Sequence, residues 1–168
     1  MPQRTVIIGN SGSGKTWLSG QLGSRFGVPI VHLDEIFWLP GGFDKKRDPT
    51  EVSEIISREI TDAQWIAEGV YGDLANDFLP AAQRLIWLDL PWPVCKRRLE
   101  ARGSESKSHI NHAQSEEGLK ELIEWAEGYP SRSGSCGRAF HADLFERFSV
   151  QRHRFESENQ VVVFLSAV

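Results

Sequence analysis

Short apolar runs and helically spaced apolar positions alternate along this chain. Arg4-Thr5-Val6-Ile7-Ile8 is apolar and β-branched, ends at Gly9, and predicts a buried strand. After a Gly/Ser-rich loop, Leu18, Leu22 and Phe26 fall on one face of a helix over Lys15–Phe26, which Gly27 stops. Pro29-Ile30-Val31-His32-Leu33 predicts a second strand, ending at Asp34. Pro40, Gly41 and Gly42 mark residues 39–47 as loop. Asp48-Pro49-Thr50-Glu51 is a helix start, with Asp as cap and Pro at the first position, and Val52, Ile55, Ile56 and Ile60 supply the apolar face.

Gln64-Trp65-Ile66-Ala67 predicts a third strand, ending at Glu68-Gly69, followed by a short helix from Asp73 to Leu79 that Pro80 stops. Arg84-Leu85-Ile86-Trp87-Leu88 predicts a fourth, ending at Asp89, with a helix over about 93–102 behind it. Residues 103–117 are polar and read as a mobile loop, and 119–127 as helix. Ser131–Gly137 reads as a second flexible stretch. A helix over 139–148 is expected to run on toward Phe155, and the apolar Val161–Leu165 is expected to be the fifth strand. That strand would leave three residues after it, where the adenine base often rests, so base selectivity stays open.

Strands alternating with helices predict an α/β fold with a parallel sheet covered on both faces, in one domain over 1–168. Ligands then bind at the carboxyl ends of the strands, which carry Gly9, Asp34, Glu68-Gly69 and Asp89. At 40% hydrophobic and 25% charged residues the balance is that of an ordinary soluble protein. No apolar stretch is long enough to span a membrane, and no secretory signal stands at the start. Two cysteines fit a reducing cytoplasm, and a net charge of −4 argues against a dedicated nucleic-acid binder. A monomer or weak dimer is expected.

Gly9-Asn10-Ser11-Gly12-Ser13-Gly14-Lys15-Thr16 matches G-x-x-x-x-G-K-[ST] at every fixed position, between an apolar strand and an amphipathic helix. In this motif the glycines let successive N–H groups form a concave anion site, and the helix dipole adds to it. Lys15 supplies charge for the β- and γ-phosphates, and Thr16 offers a hydroxyl to Mg²⁺. ATP, or another nucleoside triphosphate, and Mg²⁺ are the implied cofactors. Asp89, closing four apolar residues, is a candidate metal holder. Asp34 is a candidate base for an acceptor hydroxyl or a second metal holder, and equally a helix cap. Glu68 and Gly69 are candidate acceptor contacts, with Gly69 allowing close approach to the backbone, or else a plain turn. Arg98 and Arg102 share a helix face, as charge-neutralising groups or a solvated face.

With these residues the chain resembles the nucleoside monophosphate kinase group of P-loop proteins, in which an aspartate ends the fourth strand and arginines follow at these two offsets. It is more closely similar to adenylate-kinase-like DNA topology modulation (FlaR-like) proteins. The similar segments are Val31-His32-Leu33-Asp34-Glu35-Ile36-Phe37-Trp38, Trp65-Ile66-Ala67-Glu68-Gly69-Val70-Tyr71, Leu85-Ile86-Trp87-Leu88-Asp89-Leu90-Pro91 and Tyr129-Pro130-Ser131-Arg132. The resemblance covers the chain to about residue 135. It implies a three-layer P-loop kinase fold with strand order 2-3-1-4-5, an acceptor-binding segment over about 38–66 and a lid over about 103–135. It also implies an ATP-dependent phosphotransferase in which Arg132 and Arg138 are lid-end arginines. Val70 stands where that family has Asn, and the adenylate kinase AMP signature is not matched.

Trp38, Glu68, Gly69 and Tyr71 are the acceptor-binding candidates, and Trp38 and Phe37 could stack on a base or pack the loop. Lys45-Lys46-Arg47 is a solvated loop run or an anion contact. His109, His112, Cys136 and His141 lack zinc-site spacing. The sequence reading is thus a phosphotransferase acting on a nucleotide or small molecule. Its alternatives are an ATP-binding regulatory or DNA-shaping protein and a hydroxyl kinase of shikimate or gluconate type.

Overall fold

The computed structural model describes residues 3–103 and 116–168. Five parallel strands form one sheet in the order β2-β3-β1-β4-β5. They are β1 (Arg4–Gly9), β2 (Ile30–His32), β3 (Trp65–Gly69), β4 (Arg84–Leu88) and β5 (Gln151–Phe155). Between them run α1 (Lys15–Phe26), α2 (Leu33–Phe37), α3 (Pro49–Glu59), α4 (Gly72–Phe78), α5 (Trp92–Arg102), α6 (Glu116–Glu127) and α7 (Arg138–Arg147), and α8 (Glu158–Ala167) follows β5.

Strand alternation sorts the core into two layers. Val6, Ile8, Trp65, Ala67, Leu85 and Trp87 point to one face, where Leu74, Ala75 and Phe78 of α4 and Leu144 of α7 cover them. Ile7, Ile66, Ile86 and Leu88 point to the other, under Leu18 and Leu22 of α1 and Val161 of α8. Burial on both sides is why these strands read as continuous apolar runs. The Asp48 carboxylate accepts from the Thr50 N–H at 2.9 Å, with Pro49 opening α3, as its sequence predicts.

The fifth strand is Gln151–Phe155 and not Val161–Leu165. As a sheet edge it needs no apolar side chains on its free flank, and four of its five residues are polar. Val161–Leu165 lies in α8, which the Ser157 hydroxyl caps by accepting from the Gln160 N–H. Only part of that run is covered: Val161 is buried, while Val162 and Val163 are exposed. The helix after Gly137 ends at Arg147 and does not reach Phe155. Among the described residues no helix is long and apolar enough to cross a membrane.

Candidate active site

The loop between β1 and α1 forms a cradle. Gly12 and Gly14 adopt φ values of +80° and +95°, which side-chain-bearing residues rarely tolerate. A Cβ on Gly12 would lie 2.5 Å from the Cys95 carbonyl oxygen, and one on Gly14 would lie 2.5 Å from Arg98 Nη1. Helix α5 therefore presses on the back of the loop. Lys15 Nζ donates to the Asn10 carbonyl at 2.8 Å. Asn10 Nδ2 donates to the Ala126 carbonyl at 2.9 Å, tying the loop to the end of α6. Ser13 Oγ is buried with no hydrogen-bond partner among the described residues.

Next to the cradle lie three groups at the ends of β2 and β3. The Thr16 hydroxyl donates to Glu68 Oε1 at 3.1 Å, and His32 Nδ1 donates to the same oxygen at 2.6 Å. Glu68 is 1% exposed and Asp34 4%. Burial would lower the His32 pKa, but its hydrogen bond to Glu68 and the charges of Glu68, Glu35 and Asp34 carry it above the ordinary histidine value. Glu68, a candidate acceptor contact, lines the cleft and also faces the motif threonine, because β3 is the direct neighbour of β1 with Ile7 opposite Glu68. Gly69 serves packing: a Cβ there would lie 2.7 Å from that of Leu33.

A cleft of about 920 Å³ opens over this floor. Lys15, Thr16, Arg102, Asp34, Trp38 and Tyr71 are among the residues that line it. Trp38 Nε1 donates to the Tyr71 hydroxyl at 2.7 Å, and Phe37 stacks on Tyr71 at 4.3 Å. Leu122 and Trp125 of α6 also line the cleft. The expected lid thus includes a helix; its residues 104–115, with His109 and His112, lie outside the described residues.

No protein-family model and no curated protein sequence matches this chain. Solved structures do. A gluconokinase from Sinorhizobium meliloti superposes with a TM-score of 0.55 at 14% identity, over 99% of this chain and 93% of that one. A shikimate kinase from Bacteroides thetaiotaomicron gives 0.54 at 16% identity, over 99% and 96%. A sugar kinase from Janibacter sp. gives 0.52 at 11%, over 99% and 94%. With the 2-3-1-4-5 order, these matches decide the architecture. The fold is that of the P-loop kinases.

Within the P-loop kinase fold the arginines divide. Arg102 lines the cleft. Arg98 instead braces the loop from behind, donating through Nη1 to the Ser13 carbonyl at 2.8 Å while Nε donates to Glu158 Oε1 at 3.1 Å. Arg132 lies over the Trp125 ring, 3.8 Å from its centroid, and donates to the Cys136 carbonyl. Asp89, expected to hold metal, has both carboxylate oxygens engaged by arginines. Arg138 donates to Oδ1 and Oδ2 at 2.8 Å each, and Arg154 donates to Oδ2 at 2.7 Å. Burial would raise the Asp89 pKa, but these hydrogen bonds and charges outweigh it and hold the pKa low. Arg138, expected at the lid end, is thereby committed to Asp89. Strand β5 pairs alongside β4 with Arg154 opposite Trp87, which brings that arginine to the Asp89 carboxylate.

A buried polar chain escaped the sequence reading. Trp87 Nε1 donates to the Tyr129 hydroxyl at 3.0 Å, Tyr129 donates to His141 Nδ1 at 2.8 Å, and His141 Nε2 donates to the Val70 carbonyl at 2.8 Å. The carbonyl can only accept, which fixes the tautomer and the direction of each bond. Burial pushes the His141 pKa down to about 4, so it is neutral. The chain's four members, Trp87, Tyr129, His141 and Val70, come from separate segments, and no spacing in the sequence signals them.

Proposed function

We propose that this chain is a kinase that moves the terminal phosphoryl group of a nucleoside triphosphate, ATP for example, to the hydroxyl of a small acceptor. One observation carries the reading: Lys15 and Thr16 of the phosphate motif and the carboxylate of Asp34 face a single cleft of about 920 Å³. Donor and acceptor sites thus share one volume, as in-line transfer requires.

The residues fit both implied groups. The positive-φ glycines leave the loop backbone open to phosphate, and Ser13 Oγ beside it is a buried polar atom with no partner among the described residues. Thr16, Glu68 and Asp34 offer hard oxygens of the kind Mg²⁺ takes. When bound, Mg²⁺ would neutralise phosphate charge.

The roles of this chain's residues follow from their places. The loop amides and Lys15 hold the phosphates, and Arg102 adds positive charge to the same cleft. Asp34 takes the proton of the acceptor hydroxyl as its oxygen bonds to the terminal phosphorus, and the bond from that phosphorus to the bridging oxygen breaks. Leu122 and Trp125 narrow the water access that would otherwise favour hydrolysis.

The test is a coupled assay of nucleoside diphosphate release with Mg²⁺, across nucleoside monophosphates, sugar acids, ring-bearing alcohols and 5′-hydroxyl oligonucleotides. Acceptor-stimulated release supports the reading. Tight triphosphate binding with no stimulation by any acceptor overturns it in favour of a nucleotide-binding regulator.

A further inference from the structure

Part of the wall of the cleft that holds the phosphate loop is built of aromatic rings. Trp38 meets Phe37 edge-on at 4.9 Å and Phe43 edge-on at 5.9 Å, while Phe37 stacks on Tyr71 at 4.3 Å with an interplanar angle of 16°. All four line the cleft, and each is only partly buried, so ring surface remains for a ligand.

This wall is held in shape. Trp38 and Lys46 form an antiparallel bridge, the Leu39 N–H donates to the Lys45 carbonyl at 2.9 Å, and the Arg47 N–H donates to the Phe37 carbonyl at 2.8 Å. Arg47 also donates through its side chain to the carbonyls of Ile36 and Glu35, pinning the hairpin to α2. The wall is therefore pre-organised, which lowers the entropy cost of binding a flat partner.

Charge narrows the choice of partner. Among the described residues lining the cleft the cations are Lys15, Arg102 and Lys46. The first two stand on or beside the phosphate loop. Lys46 lies 5.6 Å from the Phe37 ring centroid, and Asp44 and Asp34 line the cleft with it. A carboxylate or phosphate acceptor would meet two carboxylates against one lysine here. A polyol would face ring carbons where it needs hydrogen-bond partners, because the Trp38 N–H is given to Tyr71.

We infer that the acceptor is an alcohol carried on an uncharged or cationic planar aromatic ring, which stacks on the wall of Phe37, Trp38, Phe43 and Tyr71 and presents its hydroxyl to Asp34. This rests on the kinase reading and names the substrate class of the same site. Stacking on an aromatic wall supplies affinity without ring-edge hydrogen bonds. The reaction balances as the acceptor oxygen gains the phosphoryl group, the nucleoside diphosphate leaves, and the acceptor proton passes to Asp34.

The experiment measures diphosphate release with Mg·ATP and thymidine or a hydroxymethylpyridine as ring-bearing alcohols, against gluconate, shikimate and a nucleoside monophosphate. The ring-bearing alcohols are expected to give the highest kcat/KM. Trp38→Ala is expected to raise their KM about tenfold with the KM for ATP unchanged, and Trp38→Phe to restore most of it. Preference for gluconate, shikimate or the monophosphate overturns the inference and leaves the kinase reading standing. A Trp38→Ala effect confined to the KM for ATP also overturns it, since the wall would then hold the triphosphate's base. ATP binding with no stimulation by any acceptor overturns both.

Discussion

The hydroxyl of Thr16 donates to Glu68 Oε1 at 3.1 Å, joining the first turn of α1 to the end of β3. His32 reaches the same oxygen from β2, so the motif threonine is held in a three-residue polar cluster at the base of the cleft. Glu68→Gln keeps the shape and removes the charge. Turnover is expected to fall on the order of 10–100-fold, with the Mg²⁺ concentration for half-maximal activity raised and Mg²⁺-free nucleotide affinity unchanged. Steady-state rates across a Mg²⁺ titration check this; an unaltered titration would remove Glu68 from the metal's surroundings.

Lys15 is the cation of the cradle, anchored on the Asn10 carbonyl. Lys15→Ala is expected to cost on the order of 10²-fold or more in turnover, because charge at the transferring phosphoryl group is lost. Diphosphate release and calorimetric titration with Mg·ATP measure it. Wild-type values for both would detach this loop from phosphate chemistry.

Asp89 separates two roles that the sequence could not. Both its oxygens accept from arginines, and the Arg138 and Arg154 side chains are 42% and 34% exposed, so solvent weakens the pair. Asp89→Ala is expected to destabilise the fold by about 2 kcal/mol, below the range for a fully buried pair, and to leave the Mg²⁺ dependence of the folded fraction unchanged. Urea unfolding and a Mg²⁺ titration of the same variant test the two halves separately.

His141 sets a pH dependence. Its folded pKa of about 4 lies below the ordinary histidine value near 6.5. The unfolded chain therefore binds more protons between these two values, and stability rises with pH across that window. On lowering the pH from 7 toward 4, wild-type is expected to lose on the order of 3 kcal/mol through this residue. His141→Gln should lack that component, so the two stability profiles converge as pH falls. Urea midpoints at several pH values show it, and parallel profiles would disprove it.

The P-loop was legible because a buried strand, a glycine pattern and an amphipathic helix are all local. So was the cap of α3. The fifth strand was not. Val161–Leu165 is uniformly apolar, and such a run fits a buried strand and a helix alike, whereas Gln151–Phe155 has the polar surface of an edge and so looked like no strand. What no local pattern carries is which strand lies beside which. Glu68 and Asp89 both end apolar runs, but β3 sets Glu68 against Thr16, and β5 brings Arg154 to Asp89. The chain from Trp87 through Tyr129 and His141 to Val70 joins residues up to 71 positions apart, beyond any spacing rule.

Glu158 holds both Arg97 and Arg98, and Arg98 in turn grips the Ser13 carbonyl behind the phosphate loop. The brace on the first loop of the molecule is thus made by a helix that comes after all five strands. During synthesis the phosphate-loop motif therefore leaves the ribosome among the first residues, while the clamp behind it is complete only once α8 has emerged and docked.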